Sequence, residues 1–227
     1  GKSWSKPEDI TSQITRPEWH DDFKFITSGR GIQARSGDLL HTLVNLKNGL
    51  HVFGSRDHGK IWFFIDAPIT PGDESKIVEL ADGCWMINSR VKVKGMRYAH
   101  VAQDQGATWQ ALASPYEGSF FGFLPLSDGA LLVFGLRGAL FRSEDRGATW
   151  TKVASGTEDT LMAGLELGGG RVVVAGLAGA LLRSDDSGRT FRSTPLEDRK
   201  ANVALLGSAD HLVLFGEGGA RSLESLQ

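Results

Sequence analysis

Asp57, Asp104, Asp145 and Asp186 stand 47, 41 and 41 residues apart, each inside the same octapeptide. The copies read Ser55-Arg-Asp57-His-Gly59-Lys-Ile-Trp62, Ala102-Gln-Asp104-Gln-Gly106-Ala-Thr108-Trp109, Ser143-Glu-Asp145-Arg-Gly147-Ala-Thr149-Trp150 and Ser184-Asp-Asp186-Ser-Gly188-Arg-Thr190-Phe191. Two chemistries suit a carboxylate among hydroxyls and glycine. One is calcium binding, and Ser184 to Gly188 resembles part of a calcium loop, but the bidentate glutamate that completes such a loop is absent downstream. The other is turn building. The aspartate accepts hydrogen bonds from turn N–H groups. Gly59, Gly106, Gly147 and Gly188 supply the positive φ of a tight hairpin. Trp62, Trp109, Trp150 and Phe191 bury a ring beneath it. Turn building is the better fit, and neither a metal nor a cofactor is expected.

Other reactive side chains form no recognisable constellation. His20, His41, His51, His58, His100 and His211 lack the spacing of a metal site and read as surface or strand positions. Cys84, the single cysteine, rules out an internal disulfide and reads as a buried structural thiol beside Trp85. Asp21-Asp22 reads as a loop pair. Gly168-Gly-Gly170 lacks the Lys-Ser/Thr of a phosphate loop and reads as a hairpin turn. A net charge of −2 argues against a nucleic-acid partner. No apolar run reaches the ~18 residues of a membrane span, and Gly1-Lys-Ser-Trp4 lacks a signal-peptide core, so a protein free of membrane is expected.

A period of 41 to 47 residues filled with short strands is the mark of a propeller blade. The strands can be read directly. Leu131-Leu-Val-Phe-Gly135, Val172-Val-Val-Ala-Gly176 and Leu212-Val-Leu-Phe-Gly216 are short apolar runs ended by glycine. Each is preceded by another strand, and the first two are followed by a box. The ends carry half boxes, Gly1-Lys-Ser-Trp4 like Gly59 to Trp62, and Ala220-Arg-Ser222-Leu-Glu224 like Leu182 to Asp186. The expected fold is therefore all-β. It is a five-bladed β-propeller of four-stranded antiparallel blades, closed by N- and C-terminal strands that share one blade. Residues 1–227 form one domain in this reading. Composition marks a seam inside it. Residues 1–115 hold 9 Ile, 7 Leu, 8 Lys and 5 Trp, whereas residues 116–227 hold no Ile, 19 Leu, 2 Lys and 1 Trp.

The octapeptide resembles the Asp box (BNR repeat) of sialidases and related propellers. Residues 1–112 resemble bacterial exo-sialidase (neuraminidase) blades, in Gly1 to Thr11, Gly29-Arg-Gly-Ile-Gln33, and Asp73-Glu74-Ser-Lys-Ile-Val-Glu79 through Asn88-Ser-Arg90. The resemblance implies that Glu74 matches the carboxylate that activates a tyrosine nucleophile. It likewise implies that Arg90 matches one of three arginines that clamp the sialic acid carboxylate. The first arginine and the general-acid aspartate have no counterpart here. Neither Tyr98 nor Tyr116 sits in the nucleophile's context. Both site residues are therefore expected to be vestigial. Residues 119–222, through Asp128-Gly-Ala-Leu-Leu-Val-Phe-Gly135 and Leu140-Phe-Arg-Ser-Glu-Asp145, resemble the propellers of photosystem II assembly and stability factors, which bind proteins.

Three functions stay open. The first is an engineered or recombined chimera, a de novo scaffold without retained catalysis. The second is residual sialic-acid binding or exo-sialidase hydrolysis through Glu74 and Arg90. The third is a module that binds a protein, or weakly a sialoside or other glycan. Spacing does not decide whether Glu74 and Arg90 share a cavity, nor the oligomeric state or cellular location.

Overall fold

The computed structural model describes residues 4–28, 31–91, 97–208 and 211–223. Five antiparallel sheets follow one another along the chain. The first contains β1 (Lys24–Ile26), β2 (Ile32–Gln33), β3 (Leu39–Asn45), β4 (Gly49–Ser55) and β5 (Phe63–Phe64). The second runs β6 (Ser75–Glu79), β7 (Trp85–Arg90), β8 (Arg97–Ala102), β9 (Gln110–Leu112). The third runs β10 (Phe120–Pro125), β11 (Leu131–Gly135), β12 (Leu140–Ser143), β13 (Thr151–Lys152). The fourth runs β14 (Leu161–Gly168), β15 (Arg171–Gly176), β16 (Leu181–Ser184), β17 (Arg192–Ser193). The fifth has β18 (Asn202–Ser208), β19 (His211–Gly216) and β20 (Gly219–Leu223). Helix is confined to α1 (Thr11–Ile14) and three single 3₁₀ turns among the described residues.

The chain divides into two compact units, one mostly residues 1–79 with 83–91 and 100–111, the other mostly 112–227. In the first unit, Leu40, Val44, Leu50 and Val52 of the first sheet pack with Ile77, Trp85 and Ile87 of the second. In the other unit, Leu132, Phe134 and Leu140 pack with Leu161, Val172, Val174 and Leu182. The opposite face of the fourth sheet packs on the fifth through Val173, Ala175, Leu181, Leu212 and Leu214. Strands buried on both faces need apolar residues at consecutive positions, which is why the runs at 131–135 and 172–176 do not alternate.

The four boxes are hairpin turns of one design. Ser Oγ donates to the aspartate at 2.8, 2.8 and 2.7 Å in the boxes of Asp57, Asp145 and Asp186. The same oxygen accepts the glycine N–H of Gly59, Gly147 and Gly188 at 2.8, 2.7 and 2.9 Å. Thr Oγ1 donates to the carboxylate of Asp104, Asp145 and Asp186 at 2.6, 2.5 and 2.6 Å. Positive φ falls on Gly106 (85°) and also on the preceding Gln105 (55°), as on His58, Arg146 and Ser187, a two-residue demand that the glycine alone did not announce. The rings of Trp62, Trp109, Trp150 and Phe191 are half-buried against the cores.

These hydrogen bonds hold the box carboxyls below their ordinary range. For Asp57 the main cause is the Ile61 N–H, and for Asp104 and Asp145 it is the threonine hydroxyl. At Asp186, burial pushes the pKa up, but the Thr190 hydroxyl and N–H, Ser184 and the Arg189 N–H outweigh it and bring it to about 2. A folded pKa below the unfolded 3.8 means that this contribution is full above pH 4 and fades as pH falls toward 2. Two boxes are incomplete. Ala102 replaces the serine, and Ile61 replaces the threonine. Ala102→Ser, at a site as buried as Ser143, is expected to raise stability by about 1 kcal/mol in urea unfolding, through new bonds to Asp104 and Gly106. An unchanged midpoint would mean that the serine carries no net stability in this turn.

The strand number corrects the expectation of four per blade at both ends. Among the described residues, β2 adds a fifth strand to the first sheet, and the fifth sheet has three. Trp4, expected to complete the shared blade, belongs to no strand and is 92% exposed. The rest of the two half boxes, residues 1–3 and Glu224, lies outside the described residues. The C-terminal half box is also out of register. Ser143 pairs with Leu131 and Ser184 with Val172, but Leu212 pairs with Leu223, and Ser222 falls opposite Val213. The cause is the corner. Leu136–Gly138 and Leu177–Gly179 turn through three residues, whereas only Glu217 and Gly218 separate the paired Gly216 and Gly219. A one-residue slip moves each side chain to the other face.

Candidate functional site

Glu74 and Arg90 come together at the open end of the β6–β7 hairpin. Its closed end is the Asp82-Gly83 turn, with Gly83 at φ 88°. The register sets Ser75 opposite Ser89, so the residues one step outward face each other. The Arg90 N–H donates to the Glu74 carbonyl at 2.7 Å, and Arg90 Nη1 lies 3.2 Å from Glu74 Oε2. The two side chains are 46% and 39% exposed. Each therefore has its counter-charge already beside it. A ligand carboxylate approaching Arg90 meets competition from Glu74, and a phenol approaching Glu74 meets a carboxylate already engaged by a cation.

Beneath the pair lies a layer of buried hydroxyls not anticipated from sequence. Ser75 Oγ donates to Thr42 Oγ1 at 3.0 Å, Thr42 and Thr27 hydroxyls are 2.6 Å apart, and Thr27 Oγ1 also donates to the Ser75 carbonyl at 3.1 Å. Ser89 Oγ, fully buried, has no hydrogen-bond partner among the described residues. Ser75 and Ser89 are buried cross-strand partners, but β7 is buried at five consecutive positions, so nothing in its sequence marks Ser89 out.

Gly29 and Arg30, of the sialidase-like Gly29 to Gln33 stretch, lie outside the described residues. Tyr116 is committed elsewhere, its hydroxyl donating to the Leu136 carbonyl at 3.3 Å. It lines a groove of about 610 Å³ with Arg137, Phe141, Lys152, Ser155 and Glu158. Sequence reading assigned no role to this groove. Cys84 is buried and free of disulfide. Asp22, of the acidic pair, organises the β3–β4 turn. It accepts from Lys47, from Asn45 Nδ2 at 3.1 Å and from Asn48 Nδ2 at 3.2 Å. The Lys47 hydrogen bond is the main reason its pKa is lowered. His51 and His100 are buried strand residues, and burial lowers the pKa of each. Among the described residues no group of three His, Cys, Asp or Glu side chains could hold a metal.

No family model matches the chain. It is 31% identical over 113 residues to a sialidase of Bacteroides fragilis, covering 48% of this chain and 20% of the relative. It is 35% identical over 119 residues to a sialidase of Micromonospora viridifaciens, covering 48% and 18%. The chain thus spans about a fifth of the length of the curated relatives it matches. Among solved structures it resembles YCF48 bound to D1 peptide, with TM-score 0.65 and 17% identity over 85% of this chain and 61% of that one. It also resembles the Hadza microbial sialidase Hz136, with TM-score 0.53 and 22% identity over 88% and 42%. The GH74 xyloglucanase of Xanthomonas campestris gives TM-score 0.68 and 17% identity over 88% and 37%. These likenesses establish the all-β propeller fold, with segments that resemble sialidase and YCF48.

Proposed function

We propose that this chain is a propeller module without hydrolytic activity of its own, in which Glu74 and Arg90 are remnants of a sialidase-like site. The Glu74–Arg90 ion pair carries the reading. A base must be free to take a proton from its nucleophile, and a clamp must be free to take a carboxylate. Here each group holds the other. Recombination of blades from two sources is part of the proposal. The composition seam at 115/116 and the boundary between the compact units at 111/112 fall close together. The chain then acts as a scaffold, natural or engineered.

A fluorogenic sialoside tests the reading. Turnover is expected to equal the blank for the native chain and for Glu74→Gln alike. Turnover by the native chain that Glu74→Gln removes would overturn it. A second reading, sialoside binding without cleavage, is favoured by the half-exposed guanidinium of Arg90 and by the sialidase relatives. Calorimetric titration with sialic acid separates the two, since Arg90→Ala abolishes the heat only if that arginine binds the carboxylate. The peptide-bound YCF48 relative adds a protein partner as a third reading, which pull-down with acidic and neutral peptides would distinguish.

A further inference from the structure

The segment from Ile10 to His20 crosses one face of the first sheet as a strap. Ile14 and Trp19, each 3% exposed, pack with Leu43 and Phe53. Gln13 Oε1 accepts the Trp62 N–H at 2.8 Å, which ties the strap to the first box. Arg16 pairs with Asp66, and its guanidinium lies 5.6 Å from the Trp19 ring centroid. Lys24 Nζ donates to the Trp19 carbonyl at 2.8 Å.

Under the strap sits His51 of β4, 1% exposed. Its ring is 5.0 Å from Trp19 and 5.0 Å from Phe64, and these two rings meet edge to face at 5.4 Å. The enclosure is aromatic on two sides, and the cross-strand partner, Leu43 of β3, is apolar. Among the described residues, neither imidazole nitrogen has a hydrogen-bond partner of good geometry. Two charged groups bear on the ring. Arg16 from the strap opposes a proton, and Asp66 after β5 favours one. Burial is the dominant influence and moves the pKa below its usual 6.5, while the backbone of Ile65 and Asn48 pulls it partly back. A charged imidazole in this enclosure loses hydration without a full partner. Cation–π attraction to Trp19 offers little compensation, because Arg16 already lies near that ring.

We propose that His51 is a proton-operated clasp: neutral, it holds the strap on the first sheet, and protonated, it lets the strap lift and bare the apolar face of Leu43 and Phe53. The sign follows from linkage. The closed state prefers the neutral ring, so its advantage is full above pH 6.5 and is lost as pH falls through and below that value. Hydrogen exchange on the full chain, corrected for intrinsic rates, reads the opening. Between pH 7.5 and 5.0 the amides of Gln13, Trp19, His20 and Asp22 are expected to lose protection, by up to about thirtyfold where the closed ring stays neutral throughout, while β3 and β4 keep theirs. His51→Phe keeps a ring in place and is expected to remove this loss. Unchanged protection in the native chain, or an equal loss in His51→Phe, would overturn the proposal. If His51→Phe fails to fold, NMR titration of the native His51 ring decides: its midpoint must coincide with the opening of the strap, and a separate midpoint sinks the idea.

Discussion

Phe134→Ala is expected to lower the unfolding free energy by about 4 kcal/mol, the usual loss for a fully buried aromatic ring. Phe134 is 1% exposed on β11, and its ring fills the space between the third and fourth sheets. Two glycines make that space. A Cβ at Gly122, on the neighbouring β10, would lie 2.0 Å from the ring, and one at Gly164 on β14 would lie 2.7 Å from it. Neither glycine has positive φ, so close approach and not backbone freedom explains them. Gly122→Ala is therefore expected to cost about 2 kcal/mol by overpacking. Combined with Phe134→Leu it should cost less than the sum, with a coupling of about 1 kcal/mol or more. Urea unfolding of the four proteins in the cycle measures this. Strict additivity would show that ring and glycine do not constrain each other.

Gly138→Ala should be nearly as severe, at about 3 kcal/mol, for a different reason. Gly138 has φ +66°, and a Cβ would lie 1.9 Å from the Thr157 carbonyl oxygen. That oxygen belongs to backbone, and the Gly138 N–H is itself bonded to the Asp159 carbonyl at 3.0 Å, so the corner cannot shift without breaking a bond. The preceding Arg137 also has positive φ, 55°, but its side chain is exposed at the groove. Arg137→Gly should relieve strain and cost unfolded-state entropy, leaving stability within about 1 kcal/mol. Thermal unfolding of both variants checks the contrast. A Gly138→Ala cost as small as that of Arg137→Gly would show that the corner yields to the added methyl and that the Thr157 carbonyl does not limit it.

Much of the fold was legible because its determinants are local. The octapeptide contains the aspartate, the donors it accepts from and the glycine that turns the chain, so Asp57, Asp104, Asp145 and Asp186 could be assigned from spacing alone. Gly168-Gly-Gly170 was legible as a turn on the same ground, and all three carry positive φ. The runs at 131–135, 172–176 and 212–216 announced strands by length and composition. The end of the repeat was less legible. Ser222 looks like a box serine in sequence, and a corner shortened by one residue displaces it. Register accumulates from the turn before it, so matching letters do not guarantee matching faces.

The site shows the same division. Sequence by itself determined that Glu74 and Arg90 are present and that neither Tyr98 nor Tyr116 has a nucleophile's context. Only the tertiary structure decided that they pair with each other at 3.2 Å, because that depends on the Ser75–Ser89 register. His51 and Trp19 are 32 residues apart, and nothing in either segment announces that one closes over the other. Turns store their instructions within a few residues. Ion pairs, clasps and ring-sized gaps between sheets arise where distant segments meet, and their chemistry is set by which neighbour the fold delivers.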